Sequence, residues 1–355
     1  MTADLIDLAG VPLEDLMDII DLAERIGKNP SHYSNACAGK VMASLFYEPS
    51  TRTQMSFHSA MIRLGGQVIG FDNPGGSSVS KGESFGDTVR VTSGYSDILV
   101  IRHPAEGAAL AASLYSKVPV INAGDGSRAH PTQTLTDIVT LASEKRLGNL
   151  AIGICGDLLN GRTVHSLIET MSRFEGNKFI LISTPDLALP VNLKNLLNSR
   201  GCLYKEVYCL EEALPDLDVL YMTRIQRERF ENKNQYEAQM GIYILTSETL
   251  KYARPDLCIL HPLPRLNEID YSVDADPRAF YFKQAEYGMY ARMALLCRMI
   301  KGQDFISDSS LKIDMASGTR LCSNAKCITA NELYLPQLTD EINGKKYCRY
   351  CEHVI

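Results

Sequence analysis

Phe46-Tyr47-Glu48-Pro49-Ser50-Thr51-Arg52-Thr53 is the stretch on which the reading of this chain turns. The apolar run 41–46 that leads into it reads as a buried strand, and beyond it Phe57, Met61 and Leu64 recur at helical spacing. A strand ends, three hydroxyls and a guanidinium follow, and a helix begins, with Ser50 as its natural N-cap. The first turn of such a helix leaves backbone N–H groups without intrahelical acceptors and carries the positive end of the dipole. That geometry attracts a phosphate, and Arg52 adds a charged, forked donor. Read alone, Ser-Thr-Arg-Thr also fits an ordinary capped helix start, so the neighbouring strand ends decide.

Two more strands close on chemistry-bearing residues. The run 97–102 ends in Arg102, and 118–122 is followed by a Gly-rich turn and then His130, with Gln133 on the first turn of the next helix. Charged residues at the carboxyl ends of strands lie where open α/β sheets bind ligands. Arg52, Arg102 and His130 are therefore expected to converge at one sheet edge, with Gln133 pointing the same way. A second set of strands is expected at 150–157, 179–183, 219–223 and 257–260, with helical stretches between. The loop after 150–157 leads to Arg162-Thr163 without a G-x-G-x-x-G spacing, so a dinucleotide site is poorly supported. Arg162 at a helix start suits a carboxylate. Arg224 and Gln226 follow another strand end and suggest a second clamp, although Arg227, Glu228 and Arg229 make a charged helix start the blander reading. His261-Pro262-Leu263-Pro264-Arg265 ends the last strand, its prolines fixing the backbone and removing donors.

Composition sets the frame. A chain of 355 residues suggests two or three domains, and 45% apolar residues suit a globular protein. No apolar run reaches the ~18–20 residues of a membrane span, and no signal peptide is visible, so a cytoplasmic location without membrane association is expected. The net charge of −6 means that an anionic substrate must be held by local clustering rather than by the overall field. Six of the ten cysteines are scattered, mostly within apolar runs, and read as core residues.

Ser-Thr-Arg-Thr after Phe-Tyr-Glu-Pro resembles the carbamoyl-phosphate site of the carbamoyltransferases, and Arg102-His103-Pro104, His130-Pro131-Thr132-Gln133 and His261-Pro-Leu-Pro-Arg265 follow in that family's order. Residues 1–305 resemble aspartate carbamoyltransferase catalytic chains. The ornithine enzymes, the alternative within the family, typically have His-Cys-Leu-Pro where Pro262 stands. The resemblance implies two doubly wound parallel-sheet α/β domains, 1–135 for carbamoyl phosphate, completed by a returning helix 284–302, and 149–283 for L-aspartate. It implies carbamoyl transfer to aspartate, an early step of de novo pyrimidine (UMP) biosynthesis, without a catalytic cofactor. Ser50, Thr51, Arg52 and Thr53 would hold the phosphate. Arg102 would bind phosphate and the carbonyl oxygen, which Thr53 and His130 also reach. Gln133 and the carbonyls of Pro262 and Leu263 would orient the reacting nitrogens, beside a cis Leu263–Pro264 bond. Arg162, Thr163, Arg224 and Gln226 would bind the two carboxylates. The Gly/Ser-rich loop 72–83 would bring Ser77 and Lys81 into a neighbouring subunit's site, which implies a homotrimer with shared active sites. Gln54, His58 and Leu159-Asn160 depart from Arg, Glu and Lys-Tyr in many or some relatives. The last departure puts an identical allosteric switch in doubt.

Cys322-x4-Cys327 and Cys348-x2-Cys351 form two close thiol pairs, the pattern of a closed tetrahedral zinc site, one ion per chain. Unrelated cysteines or a pair of disulfides are the alternatives. Residues 319–355 resemble the C-terminal zinc domain of the aspartate carbamoyltransferase regulatory chain, which implies a small four-cysteine zinc-binding β domain that caps or bridges catalytic subunits. A zinc-ribbon scaffold or nucleic-acid-binding module is the rival from another class. From Ile306 to the end, Lys/Arg 312, 320, 326, 345, 346 and 349 are matched by Asp/Glu 308, 314, 332, 340, 341 and 352. That balance lacks the basic footprint of nucleic-acid binding.

Overall fold

A computed structural model of the chain describes residues 4–76, 78–227, 230, 232–302, 322–342 and 344–355. They fall into two compact units, Met1–Thr132 with Met289–Ile355, and Gln133–Gly288. The first unit opens with α1 (Leu13–Lys28), which starts one residue after Pro12 and buries Leu16, Ile19, Ile20, Ala23 and Ile26 at helical spacing. Strand and helix then alternate: β1 (Val41–Phe46), α2 (Thr51–Arg63), β2 (Gln67–Phe71), α3 (Phe85–Ser93), β3 (Ile98–His103), α4 (Ala108–Tyr115), β4 (Val120–Asp125) and α5 (Pro131–Glu144). The strands pair in parallel in the order β2-β1-β3-β4. The order reverses between β1 and β3, and ligands of such sheets bind beyond the carboxyl ends at that reversal. The segment after β1 carries Arg52, and β3 carries Arg102 at its next-to-last residue. β2 lies at the sheet edge, and Gly70 within it has φ +132°; a Cβ there would sit 2.0 Å from the Ser44 carbonyl oxygen of β1.

The second unit repeats the plan. Its elements are β5 (Ala151–Cys155), α6 (Arg162–Met171), β6 (Lys178–Ile182), α7 (Val191–Ser199), β7 (Leu203–Val207), α8 (Leu210–Ala213), β8 (Val219–Met222), α9 (Lys233–Gln239) and β9 (Cys258–Leu260). The parallel order is β7-β6-β5-β8-β9, with its reversal between β5 and β8. Arg162 opens the helix that follows the first of those strands, and Arg224 lies in the loop after the second. β7 is an addition to the strands expected from sequence. It is an edge strand, Leu-Tyr-Lys-Glu-Val, with only Val207 buried, so it shows no apolar run.

α10 (Tyr281–Ile300) follows, and its residues from Met289 onward belong to the first unit. There the Arg292 guanidinium lies 5.1 Å from the Phe57 ring centre, Ser59 donates to the Met289 sulfur at 3.2 Å, and Arg298 pairs with Asp15 and Asp18. The tail adds an antiparallel pair, β10 (Thr339–Ile342) and β11 (Lys345–Cys348). Tail residues Ile328, Leu335 and Tyr350 share one apolar cluster with Phe85 of α3, Ile101 of β3 and Ala108 of α4. Backbone bonds fasten the seam: Glu106 N–H donates to Lys326 (2.8 Å), and Ile328 N–H to Glu106 (2.9 Å). Gly107, at φ +83°, lets Tyr350 approach so closely that a Cβ would meet it at 2.4 Å. Of the six scattered cysteines, Cys37, Cys155, Cys258 and Cys297 are buried as expected, whereas Cys202 is half-buried and Cys209 exposed. No described helix is long and apolar enough to cross a membrane.

Candidate active site

In the first unit, β1 and β3 deliver their arginines to the sheet reversal. Ser50 occupies the N-cap position of α2, but its hydroxyl donates to Thr53 Oγ1 at 3.0 Å and caps no backbone amide. The expected cap is positional only, and the helix's first-turn N–H groups keep their capacity for an anion. Arg102 is 8% exposed. Its Nη2 contacts Glu48 Oε1 at 3.2 Å, and its Nη1 lies 3.4 Å from both the Ala123 carbonyl oxygen and His130 Nε2. A guanidinium only donates, so Nε2 is the acceptor and the ring proton sits on Nδ1. Gly124, at φ +120°, leaves this pair its space: a Cβ would come within 3.0 Å of Arg102 Nη1 and 3.4 Å of the His130 ring. Burial, and then the like charge of Arg102, lower the Arg52 pKa from its ordinary value. Two cations thus share one region, opposed by Glu48, which is the arrangement that a dianion relieves.

His103 plays no part in this. Its Nδ1 accepts from Ala105 N–H at 2.9 Å, its ring packs 4.7 Å from Tyr47 and 5.3 Å from Phe85, and burial pushes its pKa down to about 4. Lys81 is exposed at the end of the turn Ser78–Lys81. Ser77 lies outside the described residues.

In the second unit, Gln133 donates to Asp137 Oδ1 at 2.8 Å, one helical turn on. Asp137 also accepts from the Tyr221 hydroxyl (3.0 Å) and from Gln284 Nε2 (2.6 Å). With its NH2 committed to a carboxylate, the Gln133 amide is held in one orientation. Burial, reinforced by Asp137, raises the Tyr221 phenol well above its ordinary range, so the hydroxyl stays a donor. Arg162 opens α6 after Gly161, and Thr163 follows it and bonds to Tyr221. Arg224 lines a shallow recess with Tyr236, Met240, Leu266 and Glu268. Gln226 has one N–H of its amide on the Asn160 carbonyl oxygen at 2.9 Å, which orients the second N–H. Asp157 stitches the two loops at the sheet reversal, accepting from Asn160 N–H at 2.9 Å and Gln226 N–H at 3.4 Å.

The 262–267 loop is clamped from beneath. Leu263 N–H donates to His261 Nδ1 (2.7 Å), which places the ring proton on Nε2, facing Glu268 Oε1 at 2.8 Å. Glu268 also accepts from Leu266 and Asn267 N–H, each at 3.1 Å. Burial raises the Glu268 carboxyl, but His261 and these amides outweigh it and hold the pKa below its usual value. Leu263 has φ +52° and the Leu263–Pro264 bond is cis, as the motif implied. Glu48, Asp137, Asp157, Glu268 and Gln284 carry this support and were not singled out from sequence; only Glu48, inside the opening motif, gave a local signal.

The tail thiols converge. One sulfur from each of Cys322, Cys327, Cys348 and Cys351 lies within 4.8 Å of the others, with 3.5 Å between Cys322 and Cys351 and 3.8 Å between Cys327 and Cys348. Four thiolates about 2.3 Å from one tetrahedral zinc ion stand about 3.8 Å apart. Disulfide sulfurs would be at about 2.05 Å. The donor set therefore suits a metal ion.

Two parallel α/β units with guanidiniums at their sheet reversals define an enzyme class that grips small anions at strand ends. The chain belongs to the aspartate/ornithine carbamoyltransferase family: residues 3–143 match its carbamoyl-P binding domain and residues 148–299 its Asp/Orn binding domain. It is 55% identical over 297 residues to the aspartate carbamoyltransferase catalytic subunit of Clostridium kluyveri, covering 83% of this chain and 97% of that one. Over 299 residues it is 53% identical to the catalytic subunit of Clostridium botulinum, covering 84% and 97%. Among solved structures, the catalytic subunit of M. jannaschii aspartate transcarbamoylase superposes with TM-score 0.80 at 46% identity, covering 84% and 98%. Trypanosoma cruzi aspartate transcarbamoylase in complex with carbamoyl phosphate and aspartate gives 0.77 at 36% identity, covering 83% and 94%. The family match stops before the cysteine tail.

Proposed function

We propose that this chain transfers the carbamoyl group of carbamoyl phosphate to the amino group of L-aspartate, giving N-carbamoyl-L-aspartate and phosphate in de novo pyrimidine biosynthesis. The observation that carries this reading is the convergence of Arg52 and Arg102 beside the uncapped first turn of α2, a site for a dianion. Ser50, Thr51, Arg52 and Thr53 hold the phosphate. Arg102, with Thr53 and His130, takes the charge that develops on the carbamoyl oxygen as the amine attacks; each such donor is worth ~3 kcal/mol. Gln133 and the clamped carbonyls of Pro262 and Leu263 orient the nitrogens. Arg162, Thr163, Arg224 and Gln226 receive the carboxylates. The C–O bond to phosphate then breaks, with no covalent enzyme intermediate.

In the same reading Lys81, with Ser77, reaches a neighbouring copy in a cytoplasmic homotrimer, and Cys322, Cys327, Cys348 and Cys351 hold a structural zinc ion in a tail akin to the regulatory chain's. These four thiolates would be drawn to one divalent ion, which would offset part of their mutual repulsion and crosslink the two cysteine pairs of the tail. The test is a colorimetric ureido-product assay with aspartate against ornithine. Wild type should use aspartate, and Arg52→Ala should lose about 10²-fold in kcat. Turnover of ornithine in preference to aspartate would refute the assignment.

A further inference from the structure

The tail does more than lie against the first unit: it supplies the cap of α3. Phe85 and Gly86 are the first two residues of that helix, and their amides have no intrahelical acceptor. Phe85 N–H donates to the Glu332 carboxylate, at 3.3 and 3.4 Å to its two oxygens, and Gly86 N–H donates to the Tyr334 hydroxyl oxygen at 2.6 Å. The third amide, of Asp87, goes to Ser84 Oγ at 3.1 Å. A carboxylate at this helix end also meets the positive end of the dipole. Gly86 is what admits the tyrosine, since a Cβ there would stand 2.8 Å from its hydroxyl oxygen. The Phe85 ring is buried in the same cluster as Ile328 and Leu335 of the tail.

Immediately before this turn comes the segment that carries Lys81. It is tied both to itself and to α3: Gly82 N–H donates to Val79 (3.0 Å), Glu83 N–H to Ser78 (3.3 Å), and the Thr88 hydroxyl to Glu83 Oε2 (2.8 Å). We propose that the cysteine tail is a positioning element for Lys81, acting through Glu332 and Tyr334 on the first turn of α3. The tail thereby couples its own folded, metal-loaded state to the carbamoyl-transfer site. This rests on the functional reading above, in which Lys81 engages the substrates.

The test is a set of double-mutant cycles on the full-length, zinc-loaded chain. Glu332→Ala and Tyr334→Phe should each lower kcat/KM about tenfold, the scale of a hydrogen bond to a helix end that orders a functional segment. Glu332→Gln, which keeps an acceptor oxygen, should recover most of the loss. On a Lys81→Ala background the same substitutions should change kcat/KM by less than about twofold, because the group they position is gone. Hydrogen exchange at the Phe85 and Gly86 amides should accelerate on either background, and Tyr334→Phe, which removes one hydroxyl, guards against general unfolding of the tail. Full additivity with Lys81→Ala, or faster exchange with unchanged kcat/KM, would overturn the inference. A wild type without carbamoyltransferase activity would overturn the functional reading and this inference with it, whereas an active wild type with additive variants overturns the inference alone.

Discussion

Replacing Arg102 by lysine keeps the charge and removes the fork. The guanidinium meets three partners from a fixed plane: Glu48 at 3.2 Å, and the Ala123 carbonyl oxygen and His130 Nε2 at 3.4 Å each. An ammonium on a flexible stem reaches one of them well, the best candidate being Glu48. Two long bonds are lost, at about 1 kcal/mol each, so the folded state should weaken by about 2 kcal/mol. In the proposed mechanism catalysis should suffer more, because Arg102 is there the donor to the developing oxyanion and the lysine would misplace it: about 3 kcal/mol, or about 10²-fold in kcat. The ureido-product assay at saturating carbamoyl phosphate and aspartate reads the second figure, and thermal unfolding reads the first. A lysine variant with kcat within about threefold of wild type would refute the placement of Arg102 at the reacting carbonyl.

Other outcomes follow from the same geometry. Gly107→Ala places a methyl 2.4 Å from Tyr350 Cβ at φ +83°, so it adds ~1–2 kcal/mol of left-handed strain to a backbone clash; hydrogen exchange in 322–355 should rise, while unchanged protection would refute the seam. Chelation should loosen the tail and release one equivalent of zinc per chain, measured by a metal dye with tail exchange followed in parallel; zinc-free protein with full tail protection would refute a structural metal. Burial raises the Asp4 carboxyl from 3.8 to about 7, against the pull of the Val120 N–H. A carboxyl raised on folding contributes stability that is complete below pH 3.8 and is lost as pH climbs through about 7. Asp4→Asn should therefore overtake wild type in stability across that window, by at most about 4 kcal/mol; parallel stability–pH curves would contradict it.

The legible parts of this chain were those with short-range signatures. The run 41–46 ahead of Ser-Thr-Arg-Thr reads as strand, turn and helix start because burial on both faces demands an unbroken apolar run and the helix start demands small hydroxyls. The cysteine spacing gave a four-thiol cluster because one ion needs ligands in close pairs. β7 escaped because an edge strand with four of its five residues outside the core carries no such run. The supporting carboxylates escaped for another reason. Asp137 gathers Gln133 from one turn away but Tyr221 and Gln284 from remote segments, and no local pattern records those partners.

The sequence by itself determined the family, the strand–turn–helix stretch that carries Arg52 and the two cysteine pairs of the four-thiol cluster, since each depends on residue types at fixed short spacing. The tertiary structure alone decided that Ser50 turns to Thr53 and leaves the α2 amides uncapped, that Glu48 faces Arg102, and that the tail seals onto α3 and α4. Those outcomes depend on which distant groups share a buried space, where an unpaired donor or charge is costly and each must find a partner across the fold.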